Sequence, residues 1–167
     1  MIELNIPGRE QLIIRNLVLD LNGTIALDGK IIEGVPERLQ ILGQQLEIFI
    51  VTADTRGKAE AAVEELAAKR GGSEKGFSIK LSRVDKGKED IQKLELVRQL
   101  GIRETLSMGN GANDARMLKE CIIGVCVMGP EGAAVEAIMN ADLVTSNIND
   151  ALDVVIIPER IMATLRK

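Results

Sequence analysis

Three short runs of the sequence contain oxygen-bearing side chains of the kind that handle charged ligands. Asp20 and Asn22 stand in the run Asp-Leu-Asn-Gly-Thr, Thr52 ends Ile-Val-Thr, and residues 110–114 read Asn-Gly-Ala-Asn-Asp. Hard divalent cations take oxygen ligands. A hydroxyl beside the start of a helix is suited to anions. The three runs are therefore candidates for a site that binds an anionic group, a cation or both.

Each run follows an apolar stretch that reads as a strand, and helical periodicity fills the intervals between strands. The predicted core strands are residues 17–21, 47–52, 77–81, 105–108, 122–128 and 142–145. The predicted helices are residues 36–44, 57–70, 88–100, 112–121, 132–140 and 158–166. This alternation predicts one domain over residues 1–167, a three-layer α/β/α Rossmann-like fold with a doubly wound, mainly parallel sheet.

Two hairpins are predicted in addition to this sheet. Residues 2–6 and 11–15 flank Pro7-Gly8, which indicates an antiparallel N-terminal β-hairpin added at a sheet edge. The turn at residues 27–30, Leu-Asp-Gly-Lys, predicts a short flap over the end of the first core strand. Open α/β sheets bind ligands beyond the carboxyl ends of their strands, which is where the three polar runs lie.

Composition argues against several classes of protein. The 167 residues carry a formal net charge of -4 and two aromatic residues, both Phe, so we expect no nucleic-acid partner. The longest apolar run has eight residues, whereas a membrane-spanning helix needs about 20. With no basic, apolar leader at the start, a cytoplasmic location is expected. Cys121 and Cys126, without any His, predict buried hydrophobic side chains rather than a metal site.

The run at Asp20 resembles the first motif of the haloacid dehalogenase superfamily, Asp-x-Asp-x-Thr. The resemblance implies that Asp20 is a nucleophile that forms an aspartyl-phosphate. The second Asp of that motif works as a general acid and base in the family. Asn22 stands there instead and has no proton to exchange near neutral pH, although its backbone carbonyl could still face a metal ion.

The resemblance also assigns parts to a threonine and a lysine. A Thr or Ser at the position of Thr52 binds the transferring phosphoryl oxygens in the family, and a lysine offsets their negative charge. Two lysines qualify. Lys93 leads a helix resembling one in the phosphorylation domain of P-type ATPases, and Lys88 better fits the spacing in small sugar-phosphate phosphatases of the superfamily. We favour Lys93 and keep Lys88 as the alternative.

The run at residues 109–114, Gly-Asn-Gly-Ala-Asn-Asp, resembles the Gly-Asp-Gly-x-Asn-Asp signature of phosphoserine phosphatases and P-type ATPases. The resemblance implies a Mg²⁺ site at Asp20, Asn22, Asn110 and Asp114. Asn110 replaces the carboxylate that binds the metal in the family, so affinity for Mg²⁺ should be lower. Further similarity extends the match over residues 17–155. The chain is thus similar to a stand-alone relative of the P-type phosphorylation domain.

The intervals between motifs leave no room for a cap domain, and capless members of the superfamily often use a neighbouring subunit, so a homo-oligomer is expected. Three functions stay open. The first is a slow Mg²⁺-dependent phosphatase acting on a small phosphorylated substrate through an aspartyl-phosphate. The second is a catalytically degenerate module that binds a phosphoryl group or a partner. The third is a metal-free hydrolase that attacks carbon, as the dehalogenases do.

Overall fold

The computed structural model describes residues 1–53, 58–68 and 78–166. The strands are β1 (Ile2–Leu4), β2 (Leu12–Ile14), β3 (Asn16–Asp20), β4 (Ala26–Leu27), β5 (Lys30–Ile31), β6 (Glu47–Thr52), β7 (Ile79–Arg83), β8 (Thr105–Gly109), β9 (Ile123–Val127) and β10 (Leu143–Thr145). The helices are α1 (Val35–Leu42), α2 (Lys58–Ala68), α3 (Glu89–Leu100), α4 (Ala115–Glu120), α5 (Val135–Asn140), α6 (Ile148–Ile156) and α7 (Pro158–Leu165).

The core is one six-stranded sheet in the order β10-β9-β8-β3-β6-β7, and every neighbouring pair is parallel. From β3 the chain continues to β6 and β7 on one side of the sheet, and from β8 it continues to β9 and β10 on the other. The junction between β3 and β8 is therefore the point where the strand order reverses. Ligand crevices of doubly wound sheets open at this point, beyond the carboxyl ends of the strands.

Residues of β3 alternate between two hydrophobic clusters, one on each face of the sheet. Leu17 and Leu19 pack on the face that includes residues of α1, α2, α6 and α7, whereas Val18 packs with residues of α3 and α4 on the other. A strand covered on both faces needs apolar residues at every position, which explains the unbroken run Leu-Val-Leu. The predicted three-layer α/β/α arrangement with a parallel sheet is confirmed.

The flap and the absence of a cap also agree with the sequence. Strands β4 and β5 pair across a turn at Asp28 and Gly29, and α1 follows directly. In residues 1–53, 58–68 and 78–166 no cap domain is found. No helix in these ranges combines the length and the apolar character that a membrane crossing requires.

The position predicted for the N-terminal hairpin is wrong. Strands β1 and β2 pair with each other in a separate two-stranded sheet and do not extend an edge of the main sheet. The physical reason is the connection. Only Arg15 separates β2 from β3, and β3 is central, so the hairpin cannot reach either edge. Ile2, Leu4 and Ile14 instead add to the main core.

Several boundaries moved, and one helix was not predicted. The third core strand is Ile79–Arg83 rather than 77–81, and residue 77 lies outside the described part of the chain. Residues 112–121 begin as a 3-10 turn, Ala112–Asp114, before α4, and α5 begins at Val135 rather than residue 132. The unpredicted helix is α6, which buries Ile148, Ala151, Leu152 and Val155.

Candidate active site at the carboxyl end of the sheet

Asp20 is the last residue of β3 and lies at the reversal of strand order. It is buried, with 6% of its surface exposed. Its Oδ1 accepts a hydrogen bond from the Lys93 ammonium at 2.7 Å, and its Oδ2 accepts one from the Thr24 hydroxyl at 3.2 Å. Lys93 and Thr24 thus fix the orientation of the carboxylate.

Lys93 reaches this point from the buried face of α3. One turn further on, Val97 packs in the same cluster as Val18 beneath the sheet, so the lysine stem lies in the core. The Lys93 ammonium also donates to Oδ1 of Asp114 at 2.6 Å. Burial lowers the pKa of Lys93, but the two carboxylates outweigh it and the net shift is upward. Lys93 therefore stays protonated near neutral pH. Lys88 is exposed just before α3 and does not contact Asp20.

Asp20 ionises less readily than an ordinary carboxyl group. Burial and the nearby charge of Asp114 raise the pKa of Asp20 to about 7, while Lys93 and the Thr24 hydroxyl act in the opposite direction. The ammonium of Lys93 is therefore what keeps a carboxylate at this depth available near neutral pH.

Asp114 connects the lysine to the turn after β8. It is fully buried, and its Oδ2 accepts from the backbone amides of Asn110 at 3.0 Å and Gly111 at 2.9 Å. A β-carbon at Gly109 would collide with the Asp114 side chain, which explains the glycine. Both carboxylate oxygens accept hydrogen bonds from protein donors, and these contacts let Asp114 position Lys93 and the turn after β8. Its part as a metal ligand, which the resemblance implied, stays a prediction.

Asn110 faces Asp20 across the Thr24 hydroxyl. The Thr24 Oγ1 lies 3.2 Å from Oδ2 of Asp20 and 3.2 Å from Oδ1 of Asn110. The Asn110 amide nitrogen donates to the Gly132 carbonyl at 3.2 Å, which fixes Oδ1 towards Thr24. The Thr24 hydroxyl has one proton to donate, so it can satisfy either Oδ2 of Asp20 or Oδ1 of Asn110 but not both. We call Asp20, Thr24, Lys93, Asn110 and Asp114 the Asp20 site.

This donor set fits a hard cation such as Mg²⁺, which takes carboxylate, amide and carbonyl oxygens together with water. Two acceptor oxygens that compete for one proton would both be satisfied by a cation between them. Among the residues that the structure describes, no three His, Cys, Asp or Glu side chains form a metal site by themselves. Amide or backbone oxygens, Asn110 among them, would therefore have to contribute.

The other predicted residues lie at the same edge of the sheet but outside these contacts. Thr52 is buried at the end of β6, one residue beyond Val51, the partner of Asp20 in the strand register. The helix start expected to assist it falls outside the described ranges. Asn22 is exposed, and within those ranges its side chain has no hydrogen bond.

Sequence reasoning did not single out Thr24 or Glu131, both of which lie close to the turn after Asp20. Thr24 ends the Asp-x-Asp-x-Thr motif, so its position could have been noticed, whereas Glu131 stands in no recognisable pattern. A β-carbon on Gly23 would lie 2.6 Å from a carboxylate oxygen of Glu131 and 2.7 Å from the amide nitrogen of Asn110. Both side chains therefore approach the same backbone turn.

Two proteins of Methanocaldococcus jannaschii are related to this chain in sequence. Uncharacterized protein MJ0073 is 38% identical over 92 residues, which make up 53% of this chain and 99% of that protein. Uncharacterized protein MJ0072 is 67% identical over 39 residues, 23% of this chain and 89% of that protein. No family model matches the chain.

Solved structures resemble the fold at low identity. A Legionella pneumophila structure assigned to subfamily III A of the HAD superfamily matches with a TM-score of 0.64 and 16% identity, covering 90% of this chain and 87% of that chain. The 3-deoxy-D-manno-octulosonate 8-phosphate phosphatase of Moraxella catarrhalis, in complex with magnesium ion, phosphate ion and KDO, has a TM-score of 0.60 and 16% identity, covering 92% and 94%. The catalytic domain of the CPx-ATPase CopB-B has a TM-score of 0.50 and 17% identity, covering 77% and 44%.

These matches span both kinds of protein that the sequence motifs resemble, a sugar-phosphate phosphatase and a P-type ATPase. At identities of 16–17% they establish the fold and leave the reaction open. The chain therefore has the haloacid dehalogenase fold and belongs to one protein family with the two Methanocaldococcus proteins.

Proposed function

We propose that this protein is a hydrolase that moves a phosphoryl group from a small phosphorylated substrate to Asp20 and then to water. The observation that carries the proposal is the buried carboxylate of Asp20 at the strand-order reversal, held 2.7 Å from the buried ammonium of Lys93. Burying an ionised carboxylate costs free energy unless the charge is paired. The presence of one here therefore favours a function for it. Here it lies where doubly wound sheets bind their ligands.

The reaction has two displacements at phosphorus. In the first, an oxygen of Asp20 bonds to phosphorus and the bond from phosphorus to the leaving oxygen breaks. In the second, a water oxygen bonds to phosphorus, the bond to Asp20 breaks, and inorganic phosphate and free Asp20 are formed. Lys93 offsets negative charge as it builds up, and Thr52 donates its hydroxyl to the phosphoryl oxygens. Asp114 keeps Lys93 in place.

A Mg²⁺ ion would be held by Asp20, the Oδ1 of Asn110 and the backbone carbonyl of Asn22, and would supply charge neutralisation at the phosphoryl oxygens. Asn22 cannot donate a proton to the leaving group or take one from water. Both protons must then be exchanged with solvent, and a contribution of about 10²- to 10⁴-fold in rate is missing. The aspartyl-phosphate should therefore be long-lived and accumulate.

The test is to trap that intermediate. The protein is incubated with acetyl phosphate, with and without Mg²⁺, quenched in acid and examined by peptide mass spectrometry. We expect one phosphoryl group on the peptide that contains Asp20 in the wild type and in Asp85→Asn, an exposed control, and none in Asp20→Asn. Asn22→Asp should shorten the lifetime of the adduct by about 10²- to 10⁴-fold. Equal labelling of Asp20→Asn would refute the nucleophile.

The absence of any adduct under every condition would favour the second function, a module that binds a phosphoryl group without transferring it. The exposed Asn22, which cannot act as an acid or a base near neutral pH, is the observation that supports this alternative. Phosphate binding without labelling would identify it. A homo-oligomeric assembly and a single domain over residues 1–167 remain part of our proposal, and light scattering of the purified protein checks the first.

A further inference from the structure

The loop after β9 is bound to the Asp20 site through Asn110. Its Ala134 amide donates to the Asn110 carbonyl at 2.8 Å, and its Gly132 carbonyl accepts from the Asn110 side chain at 3.2 Å. The loop closes on itself as well, because the Gly132 amide donates to the Gly129 carbonyl at 2.8 Å. Glu131 lies inside this clamped segment, so its backbone position is fixed relative to the site.

The Glu131 carboxylate approaches the turn that follows Asp20. Gly23 has φ +78°, and a β-carbon there would lie 2.6 Å from Oε2 of Glu131, 2.7 Å from the Asn110 amide nitrogen and 3.1 Å from the Asn110 amide oxygen. A side chain at position 23 would therefore stand between the Glu131 carboxylate and the Asn110 amide. Glu131 has no hydrogen bond or ion pair within residues 1–53, 58–68 and 78–166.

The charge balance of the site leaves room for one more carboxylate. Among the described residues, Asp20 and Asp114 face one ammonium, that of Lys93, which leaves one net negative charge. A Mg²⁺ site usually contains one or two carboxylates. Asn110 brings an oxygen without charge. Glu131, which is unpaired within the described residues, lies beside it and would bring the second negative charge.

We propose that Glu131 is a charged ligand of the divalent cation at the Asp20 site and supplies the carboxylate that Asn110 lacks. The inference rests on the proposed function in assuming that this site takes a cation. The inference explains how a site with two Asn residues at ligand positions could still bind a divalent cation. It also explains why residue 23 has no side chain.

The test measures metal binding directly. Mn²⁺ is titrated into the intact protein and followed by electron paramagnetic resonance, and Mg²⁺ is added as a competitor. Loss of even an outer-shell partner typically weakens metal affinity by 10- to 100-fold, so Glu131→Gln should weaken Mn²⁺ binding at least about tenfold. Glu136→Gln, which changes an exposed glutamate in the following helix α5, is the matched control and should bind as the wild type does.

A rescue experiment tests the argument that the site lacks one carboxylate. Asn110→Asp places a carboxylate on the neighbouring ligand and should restore most of the Mn²⁺ affinity lost in Glu131→Gln. Unchanged Mn²⁺ affinity in Glu131→Gln would overturn the inference. So would slower turnover of the phosphoenzyme with unchanged Mn²⁺ affinity, or a wild type that binds no Mn²⁺. In each case, acid-quench labelling of Asp20 still decides the proposed function independently.

Discussion

Two buried carboxylates share one buried ammonium in the Asp20 site. Lys93 is 1% exposed and lies 2.7 Å from Asp20 and 2.6 Å from Asp114. Asp114 is fully buried and Asp20 is only 6% exposed, so water is a poor substitute for the lysine as their partner. The lysine therefore supports folding as well as the proposed chemistry.

Replacing Lys93 by Met should be strongly destabilising. The methionine fills a similar volume, but it leaves two carboxylates facing each other without a cation, and breaking such a buried arrangement costs about 3–5 kcal/mol. The exposed Lys88→Met is the matched control and should change stability by less than about 0.5 kcal/mol. Urea unfolding at pH 7 measures both free energies. A Lys93→Met variant as stable as the control would show that the ammonium does not hold the two acids together.

The choice between the two lysines shows what a sequence can and cannot supply at single residues. Both stand near the start of one helix, and motif spacing favours each in a different group of the superfamily. Only the packing of α3 separates them, because Val97 places one face of the helix against the sheet and Lys93 lies on that face. Glu131 could not be predicted at all, since its place depends on contacts of Asn110 with a loop about 20 residues away.

Elements were predicted wherever a strong local pattern coincided with an expected place in the fold. Strands β3 and β6 each contain an apolar run that ends in a polar residue, and the sequence located both to within one residue. Helix α6 was missed although its pattern is clear. Its Asn147 side chain accepts from the Asp150 amide at 2.9 Å, a standard start signal. The expected fold did not call for a helix there, so the signal was not used.

The Asn147 cap gives a prediction about α6. Asn147→Ala removes the acceptor for the Asp150 amide and should destabilise the protein by about 1 kcal/mol. The buried face of α6 belongs to the main core, so the loss should appear in global unfolding. Asn5→Ala, at an exposed position of the N-terminal hairpin, is the control. Urea unfolding followed by circular dichroism compares them. Equal midpoints would mean that α6 frays without affecting the core.

The molecule as a whole is held by hydrophobic clusters on the two faces of one sheet, and its two cysteines report on that packing. Cys126 lies in β9 and Cys121 at the end of α4, and both are buried and free. The Cys121 sulfur lies 2.8 Å from the Ser107 hydroxyl on β8. A reagent can reach either sulfur only after the sheet and its helices separate, so the reaction of each thiol measures opening of the fold.

Burial also makes both thiols poor nucleophiles in the folded protein. It raises the pKa of Cys121 to about 11 and shifts that of Cys126 upward as well. Only the thiolate reacts, and a free cysteine has a pKa of about 8.5. At pH 8 the folded protein should therefore react with a disulfide reagent at least about 100-fold more slowly than the unfolded chain. Absorbance of the released thiol measures both rates, and the single variants Cys121→Ala and Cys126→Ala assign each phase. One thiol that reacts in native buffer as fast as in guanidinium chloride would show that its face of the sheet opens without global unfolding.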